Sequence, residues 1–493
     1  MPGKATSAEP PSRLRRGLAL LLSIAALVLL AVAGWIRFRF GAVTFEQILL
    51  NLPLAGGGEG VGNDSLAVEA VMLCLVLPVA IVLLAWLLEH RRRRPDATPR
   101  RFRVIVPVVG FVVSFTLFLV VAGVPQYASA VLRNLSIEPY YVPPQVLNQP
   151  ERPRNLVTIY LESVENTYSD KELFGDNLLA DLDRATSGWA SFEGLQQYHG
   201  GGWTMSGLVG TQCGIPLKSR LLVAGMNPND FGEQVASYLP GVECLGDVLA
   251  ANGYTNVYLG GAHTRFAGKD TFLTGHGYDR VQGLAHWEAQ GEDRDNISLW
   301  GLSDQRLFAH AREAVTELHE AGQPFNLTML TLDTHEPAGV FDTCSTPDQV
   351  AMATAVRCST RAVAGFLDYL GSRGYLQDTV VVVLGDHLKA TSEGGDFKGE
   401  LEGTAERSIV YRVSSPDPVV FTRERADQLS VFATTLDLLQ LNPRNGRAGV
   451  GVSFVREADL EGTALALSPQ DYEAVLRSPS FDLYREFWGE AER

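Results

Sequence analysis

The chain opens with three long apolar runs, roughly Leu18–Ile36, Ala67–Leu88 and Val104–Val124. Each approaches the roughly 20 residues that a helix needs to cross a hydrocarbon core, so each predicts a membrane span. The first also has the look of a signal peptide. No small-residue cleavage site stands out, however, and two further runs follow, so it reads as a retained span. Between the first two runs, TFEQILLNL has the pattern of a short amphipathic helix at an interface, and the Gly-rich stretch after it reads as a flexible link. Residues 125–154, rich in proline and tyrosine, read as an extended linker.

From Asn155 the period changes. NLVTIYL, YTNVYLGG, FNLTMLTL and TVVVVLG are short apolar runs of strand length. CLGDVLAANG, DQRLFAHAREAVTELHEAG and RAVAGFLDYLGSRG lie between them with helical character, and each ends in glycine. Alternating strands and helices of this kind predict an α/β domain with a mostly parallel sheet covered on both faces. The expected organisation is a three-span anchor over 1–124, a linker over 125–154 and an α/β domain over 155–493.

Charge orients this arrangement. Residues 1–150 carry 14 Lys+Arg against 8 Asp+Glu, whereas the rest of the chain carries 27 against 48. The loop EHRRRRPDATPRRFR between the second and third runs holds seven arginines, Arg91 to Arg94, Arg100, Arg101 and Arg103. A short loop this basic belongs in the cytoplasm, which places everything beyond the third span outside. The acidic remainder argues against nucleic acid as a partner. Of the five cysteines, Cys74 falls inside the second span and Cys213, Cys244, Cys344 and Cys358 lie in the outer part. Four cysteines in an oxidising compartment predict two disulfides, Cys213–Cys244 and Cys344–Cys358; buried free thiols are the alternative.

Three predicted strands run into polar residues: Glu162 after the first, Asp333, Thr334 and His335 after the third, Asp386 and His387 after the fourth. Sites in open α/β sheets form at the carboxyl ends of strands, and acids with imidazoles gathered there suit a metal ion. Any one of these residues alone is also what a helix cap or turn presents. The segment YHGGGWTMSGLVGTQCGIPL adds a second signal. Gly200 to Gly202 let backbone approach a ligand, and Thr204 or Ser206 then begins a helix whose N-terminus favours an anion. A hydroxyl there is a candidate nucleophile toward phosphorus, although a glycine turn with a threonine cap has the same spacing. No Gly-Lys-[Ser/Thr] ending is present, so the segment is not a nucleotide-binding P-loop.

At these motifs the chain resembles the membrane-anchored, sulfatase-like transferases of the alkaline phosphatase superfamily. Within them it is most similar to the phosphoglycerol transferases that decorate osmoregulated periplasmic glucans. The carrying segments are IYLESVENTYSD, the Thr204 segment ending in TQCGIPL, CLGDVLAANGY, GGAHTRFAGKDTFLTGHGYD, LTLDTHEPAG and VVVLGDHL. The resemblance implies a three-layer α/β/α sandwich behind the anchor. It implies one divalent ion, Mn²⁺ or Mg²⁺, held by Glu162, Thr204, Asp386 and His387. Thr204 would be the nucleophile and His335 the residue beside the leaving group, with Arg265, Lys269 and His276 near the substrate. The implied reaction moves phosphoglycerol from phosphatidylglycerol to a periplasmic glucan through a phosphoglycerol-threonine, releasing diacylglycerol, with no nucleotide cofactor. The implied location is the bacterial inner membrane, multi-pass, with the catalytic domain in the periplasm. Ala267 and Lys269 stand where related lipoteichoic acid synthases carry Trp and Arg, which argues against a polymerising synthase. Three rivals remain: a phosphoethanolamine transferase, a non-enzymatic glucan-binding scaffold, and a true sulfatase. The last lacks its Cys/Ser-x-Pro-x-Arg motif, since Thr204 is followed by Met-Ser-Gly-Leu.

Overall fold

In a computed structural model of the chain, residues 13–40, 45, 48, 64–92, 102–133, 135–218, 236–344, 350–391 and 395–489 are described. Most of the expected interfacial helix, the Gly-rich link and most of the arginine loop lie outside these residues. The chain divides into two units, one N-terminal and helical, the other carrying the sheet.

The N-terminal unit contains α1 (Arg13–Phe40), α2 (Leu77–Arg92, entered through helical turns at Asp64–Val71 and Met72–Val76) and α3 (Phe102–Val121). Among the described residues, two stretches are long and apolar enough to cross a membrane: Gly17–Phe38, with mean hydropathy 2.6, and Val68–Leu88, with 3.0. The third is shorter than the sequence pattern indicated. Its apolar part covers Ile105–Val121, because Ala122 and Gly123 turn the chain, Gly123 at φ 70°, before a separate helix at Val124–Leu132. Trp35 Nε1 donates to Glu69 Oε1 at 3.1 Å, giving the acid at the head of the second stretch a partner.

The second unit is built on a seven-stranded sheet. Its strands are β1 (Asn155–Leu161), β2 (Ala190–Ser191), β3 (Thr255–Gly260), β4 (Arg280–Gln282), β5 (Phe325–Leu330), β6 (Thr379–Gly385) and β7 (Tyr411–Ser414). They lie in the order β2-β7-β6-β1-β5-β3-β4. β6, β1, β5, β3 and β4 are parallel, and β7 and β2 close one edge antiparallel. β1 and β6 are buried at every position, as central strands covered on both faces must be. Their side chains alternate between two cores. Leu156, Tyr160, Val380, Val382 and Leu384 join one; Val157, Ile159, Leu161, Val381 and Val383 join the other. The first core is covered by α4 (Thr204–Cys213), α5 (Leu245–Ala251) and α9 (Val431–Leu438), and α6 (Lys269–Gly275) adds Phe272 and Leu273 to it. The second is covered by α7 (Asp304–Ala321) and α8 (Ala351–Arg373). These are the three layers expected.

α7 and α8 end at Gly322 and Gly374 in the left-handed region, as their glycines predicted. α8 begins some ten residues earlier than its pattern indicated, because Met352, Ala355, Val356 and Ser359 continue its buried stripe. The short strands β2, β4 and β7, at or next to the sheet edges, left no clear period in the sequence. Residues 135–154 run along the same unit: Val142 bridges to Gly449, Val146 to Pro443, and the Tyr141 and Phe487 rings meet at 4.8 Å.

Candidate active site

Because β6, β1 and β5 are neighbours, their carboxyl ends bring Glu162, His335 and the Asp386–His387 pair to one rim. Asp386 N donates to Leu161 O at 3.1 Å, tying the two turns together. Asp386 Oδ1 accepts from the Ser163 and His387 N–H groups at 2.9 and 2.8 Å. Its Oδ2 is buried and has no hydrogen-bond partner. Glu162 Oε1 accepts from Ser163 Oγ at 2.8 Å, and Oε2 accepts from Thr204 Oγ1 at 3.0 Å. The Glu162 backbone is held from β5, its N–H donating to Thr331 Oγ1 and its carbonyl accepting from Thr334 Oγ1.

Thr204 is the first residue of α4, and the preceding Trp203 supplies no side-chain cap. The leading N–H groups of this helix therefore remain available to an anion. Ser206 is turned away, its hydroxyl donating to Trp203 O at 2.8 Å. α4 reaches the rim because Gly207 has no side chain; a Cβ there would sit 2.2 Å from Asp386 O.

The donor set fits a divalent cation. His387 Nδ1 lies 2.9 Å from Leu388 O, a carbonyl that can only accept, so Nδ1 carries the hydrogen. The Nε2 lone pair of the neutral ring then faces Glu162 Oε1 and Asp386 Oδ2, each at 3.5 Å. Three such groups repel unless a positive charge lies among them. Burial, and next the charge of Glu162, push the Asp386 carboxyl up. Burial also pushes Glu162 up, but His387 and His335 outweigh it and hold the group below its ordinary range. Burial disfavours the charged His387 ring, yet the two carboxylates prevail and raise it. Oxygen and imidazole ligands suit Mg²⁺, Mn²⁺ or Zn²⁺.

His335 Nδ1 is 3.0 Å from Glu336 O, which leaves Nε2 as the atom able to give or take a proton. Lys269, at the start of α6, is buried; burial lowers its pKa while Glu162, Asp386 and Asp270 raise it, so its ammonium lies within the field of the acids. Arg265 is exposed in the same segment. His276 is placed elsewhere. It is buried, with Nδ1 2.7 Å from Asp247 Oδ2 and Nε2 2.9 Å from Tyr238 O, so both ring nitrogens are engaged within the fold. Cys244 stands beside this pair, but its sulfur is bonded to Cys213; Cys344 and Cys358 close the second disulfide.

Several supporting residues carried no local signal. Asp333 Oδ2 accepts from Asp304 N at 3.1 Å and Asp304 Oδ1 from Leu332 N at 2.7 Å, clamping the turn after β5 to α7. Burial raises both acids. Lys389 Nζ pairs with Glu336 Oε1 at 2.9 Å, and Arg407 holds Glu165 through both carboxylate oxygens. Gln428 Nε2 donates to Asp386 O at 2.6 Å. Each joins segments far apart in sequence, and only Asp333 stood out as an acid after a strand.

The profile of the family described as Sulfatase matches residues 154–439, more than half of the chain. The chain belongs to the sulfatase family. Phosphoglycerol transferase I of Xanthomonas axonopodis pv. citri is 29% identical over 461 residues, covering 90% of this chain and 62% of that protein. Phosphoglycerol transferase I of Shigella boydii serotype 18 is 32% identical over 398 residues, covering 77% of this chain and 49% of that protein. The chain thus spans between about half and two thirds of the length of these relatives. A solved alkaline phosphatase superfamily protein from Vibrio parahaemolyticus shares the fold, with a TM-score of 0.50 and 20% identity over 69% of this chain and 78% of that one.

Proposed function

We propose that this sulfatase-family chain is a metal-dependent transferase that moves phosphoglycerol from phosphatidylglycerol to a glucan hydroxyl on the periplasmic side of the inner membrane. The observation that carries the reading is Thr204. Its hydroxyl opens an uncapped helix, 3.0 Å from Glu162 and beside the buried cluster of Glu162, Asp386 and His387. Relatives named phosphoglycerol transferase I support the donor, and two helices long enough to cross a membrane support anchoring beside it.

Glu162, Asp386, His387 and Thr204 would hold the ion, Mn²⁺ or Mg²⁺. Such an ion supplies positive charge that neutralises phosphate and favours the ionised threonine oxygen. The residues do the rest. The Thr204 hydroxyl hydrogen is directed at Glu162 Oε2, and the α4 N–H groups and Lys269 receive phosphate oxygens. As Thr204 Oγ1 attacks phosphorus its proton passes to Glu162 Oε2; the bond to the diacylglycerol oxygen breaks, and His335 Nε2 delivers a proton to that oxygen. The acceptor hydroxyl then gives its proton to His335 Nε2 and attacks phosphorus, the Thr204–phosphorus bond breaks, and the Thr204 oxygen recovers its proton from Glu162 Oε2.

The test incubates full-length protein in detergent with phosphatidylglycerol labelled in its head group and a neutral glucan, with chelation and metal add-back. The expected result is metal-dependent diacylglycerol together with label on the glucan. Equal or better turnover of phosphatidylethanolamine would move the donor to the ethanolamine class. No turnover of either lipid, with or without metal, would overturn the transferase reading.

A further inference from the structure

The turn at 298–301 projects Trp300 onto the ring of His335, with centroids 4.1 Å apart and planes inclined by 53°. Trp300 Nε1 also donates to Pro337 O at 3.2 Å. The indole therefore grips the Thr334–Pro337 turn twice, once at the imidazole and once at the backbone two residues on. His335 has its Nδ1 occupied by Glu336 O, so two contacts fix the ring and leave only Nε2 for chemistry.

The Trp300 turn is itself fixed from the other side of the site. Ile297 bridges Leu302, Ser298 N donates to Gly301 O at 2.8 Å, and Trp300 N donates to Ser298 Oγ at 3.2 Å. Leu302 N then donates to Gly261 O at 3.1 Å, immediately after β3. Gly301, at φ 143°, makes this approach possible, since a Cβ there would lie 2.2 Å from Gly261 O. Gly261 leads into the segment of Arg265 and Lys269. The turn thus joins the segment bearing Arg265 and Lys269 to the one bearing His335.

We infer that Trp300 is a positioning residue for proton transfer: its indole sets the direction of His335 Nε2 relative to the Thr204 oxygen, and it touches no reacting atom itself. The inference rests on the proposed role of His335. A side chain held by one hydrogen bond to the neighbouring backbone still swings about χ1 and χ2; a second ring packed against it restricts that freedom, and orientation of a catalytic group governs turnover more than binding.

The test is a double-mutant cycle on the full-length protein, reading kcat and KM for diacylglycerol release from phosphatidylglycerol. Trp300→Ala should lower kcat by about ten- to a hundredfold with KM nearly unchanged. Trp300→Phe, which keeps a ring over His335, should recover most of the loss. In a His335→Gln background, Trp300→Ala should change kcat by less than about twofold, because the group it orients is gone. Trp300→Leu runs beside Trp300→Ala to keep most of the packed volume, so that a folding defect in one does not decide the result. The same factor in both backgrounds, a loss confined to KM, or failure of Phe to rescue would each overturn the inference. Wild-type protein that released no diacylglycerol would count against the proposed reaction instead. The cycle is then read on phosphatidylethanolamine, whose diacylglycerol oxygen equally needs a proton as it leaves, with the same outcomes deciding.

Discussion

Gly207→Ala isolates the packing that brings the nucleophile to the acids. The added Cβ would sit 2.2 Å from Asp386 O and 3.0 Å from its carbonyl carbon. That is more than about 1 Å inside ordinary contact. The obstacle is backbone, and Gln428 Nε2 already holds that carbonyl from another direction at 2.6 Å, so it cannot simply give way. Two effects compete. Alanine in place of glycine inside a helix gains about 1 kcal/mol in propensity. Overpacking a close contact costs about 1–3 kcal/mol. The contact should win, leaving a net loss of up to about 2 kcal/mol. Activity should fall further than stability implies, because α4 can yield only by moving Thr204 from Glu162, and a misplacement near 1 Å costs about a hundredfold. Diacylglycerol release and thermal unfolding of the full chain in detergent check both parts. Gly275→Ala serves as the control, since a Cβ there meets nothing within 4 Å. A Gly207→Ala protein with raised Tm and activity within twofold of wild type would refute the reasoning.

Thr204→Ala should abolish nearly all transfer while unfolding normally, and Thr204→Ser should keep part of it; Ser206→Ala should act mildly, and labelling of intact protein by the lipid head group should vanish only in Thr204→Ala. His199 is a pH probe of stability. Burial, then the charges of Arg477 and Lys218, lower its pKa to about 4, while the unfolded ring titrates near about 6.5. The folded pKa is depressed, so the unfolded chain binds the extra proton between those values. Stability is complete above about pH 6.5 and falls by at most roughly 3 kcal/mol as pH drops through 4; His199→Asn should flatten that slope in urea titrations. Replacing Cys344 and Cys358 by serine opens a 14-residue separation and should cost about 3 kcal/mol, slightly less than opening the 31-residue separation of Cys213–Cys244; non-reducing peptide mapping checks the pairing first. A reporter active only outside the cytoplasm should work when fused after Asn155 and be silent at Pro95, and the reverse pattern would invert the topology.

Local pattern was enough to find the central strands, the glycine-stopped helices and the chemistry-bearing residues at strand ends. A parallel strand buried on both faces must be apolar throughout, so a charged residue directly after it, such as Glu162 or Asp386, is visible against that run. The spacing did not say that β1 lies between β5 and β6, nor therefore that Glu162, His335 and Asp386 share a rim. Strand order is a property of long-range pairing, and residues 169 or more positions apart become neighbours only through it. The same reason hid Trp300 over His335, Gln428 on Asp386 O, and Lys389 on Glu336: each is an ordinary residue in its own segment, selected by what another segment places opposite it. His276 shows the converse. Its segment drew it into the candidate pocket, but its ring packs against Phe272, and the fold set Asp247 on one nitrogen and Tyr238 O on the other. A sequence motif specifies which side chain is present; which of its atoms remain available is decided by the neighbours that folding brings.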